Sequence, residues 1–330
     1  MSRPAVYLTR RLPAAAMAIL EAACTVTLWD ETERPVPREV LLRGVAGAEG
    51  LLSLLTDRVD AELLAAAPRL RVVANMAVGY DNIDVPACSA RGILVTNTPG
   101  VLTETTADLA WALLLAAARR IVEGQKLIEA GGWGPWHPLQ LVGVDVHGAT
   151  LGVVGAGRIG AAVLRRGRGF AMRLCYHNRH PAPTLEAETG ARYLPFDELL
   201  QTSDFVVVTV PLSAETRGMF GAREFALMRE TAVFVNVARG PVVREADLVA
   251  ALRAGRPRAA GLDVFEHEPI GPAHPLLALA NCVCVPHIGS ATVATRTRMA
   301  TLAAENLVAA LSGQPPRTPV NAPPLAPPRP

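Results

Sequence analysis

The chain has 330 residues, half of them hydrophobic and 19% charged, with a formal net charge of +2. This is a globular composition with apolar material for two packed cores. It offers no basic field to favour nucleic acid, and aromatic residues, at 5%, are too sparse for a base-stacking platform.

The first hundred residues alternate short apolar segments with helical ones. Strands are predicted at Ala5–Leu8, Thr25–Leu28, Gly50–Leu52, Val72–Met76 and Leu94–Thr96, with helices between them. Such alternation predicts a parallel sheet covered on both faces. The alanine-rich stretch Leu12–Cys24 follows Arg10 and Arg11 and superficially suggests a secretory leader. Glu21 interrupts it, however, and Ala5–Leu8 already reads as a strand.

After the turn Asn97-Thr98-Pro99-Gly100, residues Glu104 to Ala130 hold almost no helix breakers. One long helix, buried on most sides, is expected there; it suits a domain junction or a subunit interface. Its most apolar run, Leu109–Ala118, is well short of the roughly 20 residues of a membrane span. A loop rich in glycine and tryptophan follows, from Gly131 to Pro138.

A second alternation starts near Ala149. Strands are predicted at Thr150–Val154, Arg173–Tyr176, Phe205–Val210, Val233–Val237, Ala260–Val264 and Cys282–Val285, with helices at Arg158–Phe170 and Ala291–Leu311. The proline-rich tail from Gln314 should be extended or mobile rather than packed. The fold class is therefore α/β, with two doubly wound parallel-sheet units and a cleft between them as the natural ligand site. The five cysteines, Cys24, Cys88, Cys175, Cys282 and Cys284, form no C-x-x-C pair. They read as small buried thiols of a cytoplasmic protein, and no metal-ligand spacing stands out.

Gly155-Ala156-Gly157-Arg158-Ile159-Gly160 follows a strand and opens a helix, the context that gives G-x-G-x-x-G its meaning. Gly155 permits the tight turn, Gly157 admits a pyrophosphate close to the backbone, and Gly160 lets helix and strand pack. The helix N-terminus then offers N–H groups and partial positive charge to phosphate. An NAD site would place a carboxylate at the end of the next strand. The chain has Tyr176-His177-Asn178-Arg179-His180 instead. Arg179 can form a two-pronged contact to a 2′-phosphate, so NADPH is favoured over NADH. An enzyme using both, with Arg179 a solvated surface charge, is the alternative.

Three polar residues stand just beyond strands of the second unit: Arg239, Glu268 and His287. An arginine can grip a carboxylate and polarise a keto oxygen. A histidine can donate a proton as hydride reaches carbon, and a glutamate can stabilise its imidazolium. Each residue alone has an ordinary reading as a surface or loop residue. Together, downstream of a dinucleotide loop, they suit keto-acid reduction.

These residues resemble the D-isomer-specific 2-hydroxyacid dehydrogenase family. Val237-Ala238-Arg239-Gly240 looks like its arginine motif, Ala260 to Pro269 like its glutamate motif, and Pro286-His287-Ile288-Gly289-Ser290-Ala291-Thr292 like its histidine motif. Ala74 to Asp84, the tryptophan-rich loop and the basic end of the second Rossmann strand are most similar to glyoxylate/hydroxypyruvate reductases. The resemblance implies a flavodoxin-like substrate domain at residues 1–99 and 289–330 and a Rossmann domain at 100–288. It implies that backbone N–H groups of Val78 and Gly79 bind the substrate carboxylate and that Thr106 faces the cofactor. Val237, Asp263 and Gly289 are implied at the nicotinamide end. It also implies a homodimer, with Trp136 either reaching into the neighbouring subunit's site or only packing at the interface.

The expected activity is NAD(P)H-dependent reduction of glyoxylate or hydroxypyruvate to the D-2-hydroxy acid, with closure of the units excluding water. A dinucleotide-sensing scaffold of the corepressor kind is an alternative, as is a relative acting on another small anion such as phosphite. No nucleic-acid or membrane partner is expected.

Overall fold

A computed structural model describes residues 3–322. The chain divides into two compact units, one of residues 1–102 and 291–330 and one of residues 103–290.

In the first unit, β1 (Ala5–Leu8), β2 (Thr25–Leu28), β3 (Gly50–Ser53), β4 (Val72–Asn75) and β5 (Leu94–Thr96) alternate with α1 (Ala14–Ala23), α2 (Arg38–Val45), α3 (Ala61–Ala66) and α4 (Val85–Ala90). The strands pair in parallel in the order β2-β1-β3-β4-β5. Successive side chains of a strand face opposite sides. Leu8, Leu52, Ala74 and Leu94 therefore feed one core, and Tyr7, Leu51, Val73 and Val95 the other. With both faces buried, the strands read as near-continuous apolar runs.

The second unit opens with α5 (Thr103–Ala118) and α6 (Ile121–Glu129). The single helix expected over Glu104–Ala130 is thus broken at Arg119 and Arg120. The physical cause lies far along the chain: the Ala118 carbonyl, which would continue the helix, accepts the Val144 N–H at 3.0 Å. Arg120 takes a left-handed conformation at φ 54°, and its guanidinium is held by Glu123 at 2.5 Å.

Next come β6 (Thr150–Val154), α7 (Arg158–Gly167), β7 (Arg173–His177), α8 (Pro183–Thr189), β8 (Arg192–Tyr193), α9 (Phe196–Thr202) and β9 (Phe205–Val208). The unit ends with α10 (Ala222–Leu227), β10 (Val233–Asn236), α11 (Glu245–Arg253), β11 (Ala259–Leu262) and β12 (Cys282–Cys284). All seven strands are parallel, in the order β12-β11-β10-β9-β6-β7-β8. Strand order reverses between β6 and β9, the position where open α/β sheets bind ligands beyond their carboxyl ends. One core packs Val153, Val207 and Val235 under Trp111, Leu114 and Val163; the other packs Val206, Val208 and Phe234 under Leu199, Phe225 and Leu248.

Finally α12 (Val293–Leu311) belongs to the first unit. It buries Leu307 completely, and cutting such a leucine to alanine costs about 2–5 kcal/mol.

The tail departs from expectation. Far from being unpacked, Val320 N donates to Val95 O at 2.8 Å, and the Asn321 side chain bonds Val95 N, Ile93 O and Ser89 Oγ. The open backbone edge of β5 accepts this segment. The rest of the proline-rich tail, from residue 323, lies outside the described residues. β4, β9, β10, β11 and β12 also end a residue or two earlier than their apolar runs, because the last residues turn out of the sheet into loops.

Candidate active site

The glycine loop forms as its residues dictate. Gly155 has φ +94°, and a Cβ there would lie 2.7 Å from Val210 N. A Cβ on Gly160 would meet Gly155 O at 2.5 Å, whereas Gly157 faces open space. No side chain caps α7 at Gly157, so the N-terminal amides, including those of Arg158 and Ile159, face outward uncapped. These features fit a pyrophosphate. Thr209, which the sequence reading missed, locks the turn by donating from Oγ1 to Gly155 O at 2.7 Å.

At the end of β7 the three basic or polar residues divide their work. His177 Nδ1 donates to Leu194 O at 2.9 Å. Asn178 Oδ1 accepts the Ala156 N–H at 2.7 Å and so shapes the glycine loop itself. Arg179 is exposed. The exposed Glu215 is held below the usual carboxylate range by Ser213 Oγ and its own loop, with a smaller pull from the Arg179 charge. Of the three, Arg179 is the exposed one, while His177 and Asn178 are half-buried and each bonded to the protein.

Arg239, Glu268 and His287 all belong to the second unit. Asn236, buried at the end of β10, shapes the turn before Arg239: its Oδ1 accepts Ala238 N at 3.0 Å and its Nδ2 donates to Arg239 O at 3.1 Å. Gly240 brings this turn against the loop after β11, since a Cβ there would lie 1.8 Å from Phe265 C and O. In that loop Glu268 accepts the Phe265 N–H at 3.0 Å through Oε1. Its Oε2 lies 2.7 Å from His287 Nδ1. Burial raises the Glu268 pKa, but the bond to His287, the charges of His287 and Arg239 and the Phe265 N–H outweigh it, so the carboxyl sits below its ordinary value.

His287 has φ 53°, an unusual conformation for a residue with a Cβ. It is imposed by Asp263, whose backbone carbonyl accepts His287 N at 2.9 Å. The buried Asp263 carboxyl accepts Ile288 N at 2.6 Å and Gly289 N at 2.9 Å. Burial pushes that carboxyl up to about 6. Thr106 of α5 stands beside it, for a Cβ on Gly289 would lie 3.0 Å from Asp263 Oδ2 and 3.3 Å from Thr106 Cγ2. Val237, buried, donates to Val208 O at 3.4 Å. The structure thus joins Thr106, Asp263, Gly289, Glu268 and His287 in one hydrogen-bonded and packed group.

Three further sequence candidates lie outside that bonded group. Val78 and Gly79 lie in the loop after β4, in the first unit. Trp136 is 81% exposed on the loop after α6. The signals for Asn236 and Thr209 were weak, because a polar residue at a strand end looks like any loop residue until its partners are known.

Chemically, Glu268 keeps a proton on His287 Nδ1 and leaves Nε2 as the donor or acceptor toward a ligand. Arg239 adds positive charge nearby. This is an acid–base pair beside a guanidinium.

Comparison with known proteins agrees. The family model described as D-isomer specific 2-hydroxyacid dehydrogenase, NAD binding domain, matches residues 111–289. A glyoxylate reductase of Korarchaeum cryptofilum is 50% identical over 320 residues, covering 97% of this chain and 96% of that protein. A crystal structure from Thermus thermophilus has a TM-score of 0.89 at 45% identity and covers 96% of this chain and all of that one. An NADPH-dependent glyoxylate/hydroxypyruvate reductase of Sinorhizobium meliloti, solved with NADP and malonate, has a TM-score of 0.83 at 35% identity and covers 98% of each chain. By its sequence and its fold, this chain belongs to the D-isomer specific 2-hydroxyacid dehydrogenase family.

Proposed function

We propose that the protein reduces glyoxylate or hydroxypyruvate to the corresponding 2-hydroxy acid, of D configuration where the product is chiral. The observation that carries this reading is the 2.7 Å contact between His287 Nδ1 and Glu268 Oε2. A nicotinamide dinucleotide, when bound along Gly155, Gly157, Arg158, Ile159 and Gly160, supplies hydride to the keto carbon. Val237, Asp263, Gly289 and Thr106 flank its reactive end in this reading. The amides of Val78 and Gly79 and the Arg239 guanidinium hold the substrate carboxylate, and Arg239 also polarises the keto oxygen. His287 gives its Nε2 proton to that oxygen while Glu268 stabilises the imidazolium. The names of the Korarchaeum and Sinorhizobium relatives support the substrate.

NADPH is favoured as the reductant, with NADH accepted more weakly. Arg179 at the end of β7, where an acid would select NADH, supports this, with His177 and Asn178 framing the site. A scaffold that only senses dinucleotides has no use for the Glu268–His287 pair, which counts against that alternative. Ile121, Ile128, Trp133, Trp136 and Leu139 expose apolar surface on and after α6. We assign this surface to a second copy of the chain in a homodimer, with Trp136 at the partner's site. Five free cysteines fit a reducing compartment such as the cytoplasm. No helix among the described residues is long and apolar enough to cross a membrane.

The test is oxidation of NADPH and of NADH followed optically with glyoxylate, hydroxypyruvate, pyruvate and 2-ketogluconate, and the reverse reaction with phosphite. Turnover with the first two supports the reading. Silence with all four keto acids overturns it.

A further inference from the structure

The loop after β4 carries a pattern of bonds that goes beyond the role given to its amides. Three successive carbonyls are tied back into the first unit. Thr98 N donates to Ala77 O at 2.9 Å. Asn97 Nδ2 donates to Val78 O at 2.8 Å. Asn75 Nδ2 donates to Gly79 O at 3.0 Å. The peptide bonds here are trans, and a planar trans peptide points its N–H opposite to its C=O. Tying down the carbonyls of Ala77, Val78 and Gly79 therefore turns the N–H groups of Val78, Gly79 and Tyr80 the other way. Those three amides donate to no acceptor among the described residues. Successive backbone amides left free in this way are donors that an anion can take.

The two asparagines are themselves fixed. Asn75 is fully buried; its Oδ1 accepts Ser53 Oγ at 3.1 Å, and its Nδ2 also reaches Asn82 Oδ1 at 3.3 Å. Asn82 in turn donates to Leu54 O at 3.1 Å and Asp57 O at 2.8 Å, which ties the loop after β3 to the loop after β4. Behind Asn97, Thr318 of the tail accepts Asn97 N at 3.3 Å through its carbonyl and donates from Oγ1 to Asn97 O at 2.6 Å.

We infer that Asn75 and Asn97 are the positioning residues of the substrate-carboxylate cradle, and that the cradle has a third donor, the Tyr80 amide. Neither asparagine side chain touches the substrate; each acts by holding a carbonyl so that the adjoining amide is aimed before binding. This inference rests on the reading that Val78 and Gly79 bind the carboxylate. Preorganised donors to a charged acceptor lose their advantage when free to rotate.

The test uses the whole chain and the variants Asn97→Ala and Asn75→Asp. Aspartate keeps the shape of asparagine but removes the donor to Gly79 O. Thermal unfolding shows which variants fold; Asn97→Ser replaces Asn97→Ala, and Asn75→Ser replaces Asn75→Asp, where the first choice does not. The KM for glyoxylate should rise about 10- to 100-fold, with kcat kept within about threefold and NADPH affinity, read by fluorescence, unchanged. Hydroxypyruvate and pyruvate should lose the same factor, because all three share the carboxylate. A defect confined to one keto acid, or an unchanged KM in a folded variant, overturns the inference. Oxalate is titrated by thermal shift in parallel. If wild-type protein reduces no keto acid, the functional reading fails; if oxalate binds wild type and Asn97→Ala equally, the cradle inference fails separately.

Discussion

His287 Nδ1 lies 2.7 Å from Glu268 Oε2, although the two residues come from loops after different strands. The bond is held from both ends. Phe265 N fixes the other carboxylate oxygen, and the Asp263 carbonyl fixes the His287 backbone. Glu268 cannot leave without also giving up the Phe265 N–H, and the His287 backbone is fixed, so the imidazole has a ready partner before substrate arrives.

Glu268→Gln keeps size and removes charge. A neutral amide no longer favours the imidazolium that the proton transfer requires. Turnover in the direction of reduction should fall about 100-fold, and the alkaline limb of its pH profile should move to lower pH. Stability changes in a defined window too. The Glu268 carboxyl is depressed in the folded state, so its contribution is present above the ordinary glutamate value and is lost as pH falls through the folded one. Unfolding midpoints of wild type and variant should therefore converge in acid. A pH–rate profile that keeps its alkaline limb in place would separate Glu268 from the proton transfer.

Asp263 predicts the opposite sign. Burial lifts its carboxyl from 3.8 to about 6, so the folded protein binds that proton more tightly than the unfolded chain. Its contribution to stability is fully present below 3.8 and declines as pH rises to about 6. Asp263→Asn should remove this slope, read as the difference in unfolding midpoint between about pH 4.5 and about pH 7.5. Asparagine also has one acceptor oxygen for two N–H groups, those of Ile288 and Gly289. One buried donor is left unpaired, at a cost of about 1–3 kcal/mol, and the His287 loop should shift enough to lower kcat. Retained kcat with a retained slope would show that Asp263 does neither job.

Most of this architecture was legible in the chain. Runs such as Phe205–Val210 announce doubly buried strands, and the Gly155 loop, Arg239, Glu268 and His287 sit at strand ends where ligands bind. What escaped depends on partners remote in sequence. The break at Arg120 follows from Val144 taking the Ala118 carbonyl, and no breaker residue marks it. The tail read as extended or mobile from its many prolines, yet Val320 and Asn321 supply donors and acceptors that β5 leaves open. Asn178, expected at the cofactor from its position, also holds the Ala156 amide of the glycine loop, a role its position did not announce. Hydrogen-bond partners of single polar side chains have no periodicity to betray them.

Arg179 carries the cofactor prediction. Its guanidinium is exposed, with Glu215 close enough for its charge to be felt. Arg179→Ala should raise the KM for NADPH about tenfold while leaving that for NADH nearly unchanged, because only the former has the extra phosphate to pair. Arg179→Glu should go further and favour NADH outright. Ratios of kcat/KM for the two cofactors, measured at saturating glyoxylate, check both. Equal losses with both cofactors would place Arg179 in the general support of the loop.

Gly240 tests whether the approach of two loops creates the site. A methyl there would lie 1.8 Å from Phe265 C and O and 2.4 Å from Glu266 N, contacts far inside van der Waals range. All three atoms are backbone, so no rotamer change relieves the clash, and one loop must move. The strands beneath, paired at Asn236 with Leu262, are deep in the sheet and resist movement. The displacement therefore falls on the loop that runs from Phe265 to Glu268, and through Glu268 on His287. Gly240→Ala should lower kcat by more than about 100-fold while NADPH still binds at the separate Gly155 loop. Fluorescence titration of NADPH with parallel rate measurements reads the two effects apart. A variant with wild-type kcat would mean that the close approach is incidental to the placement of Glu268.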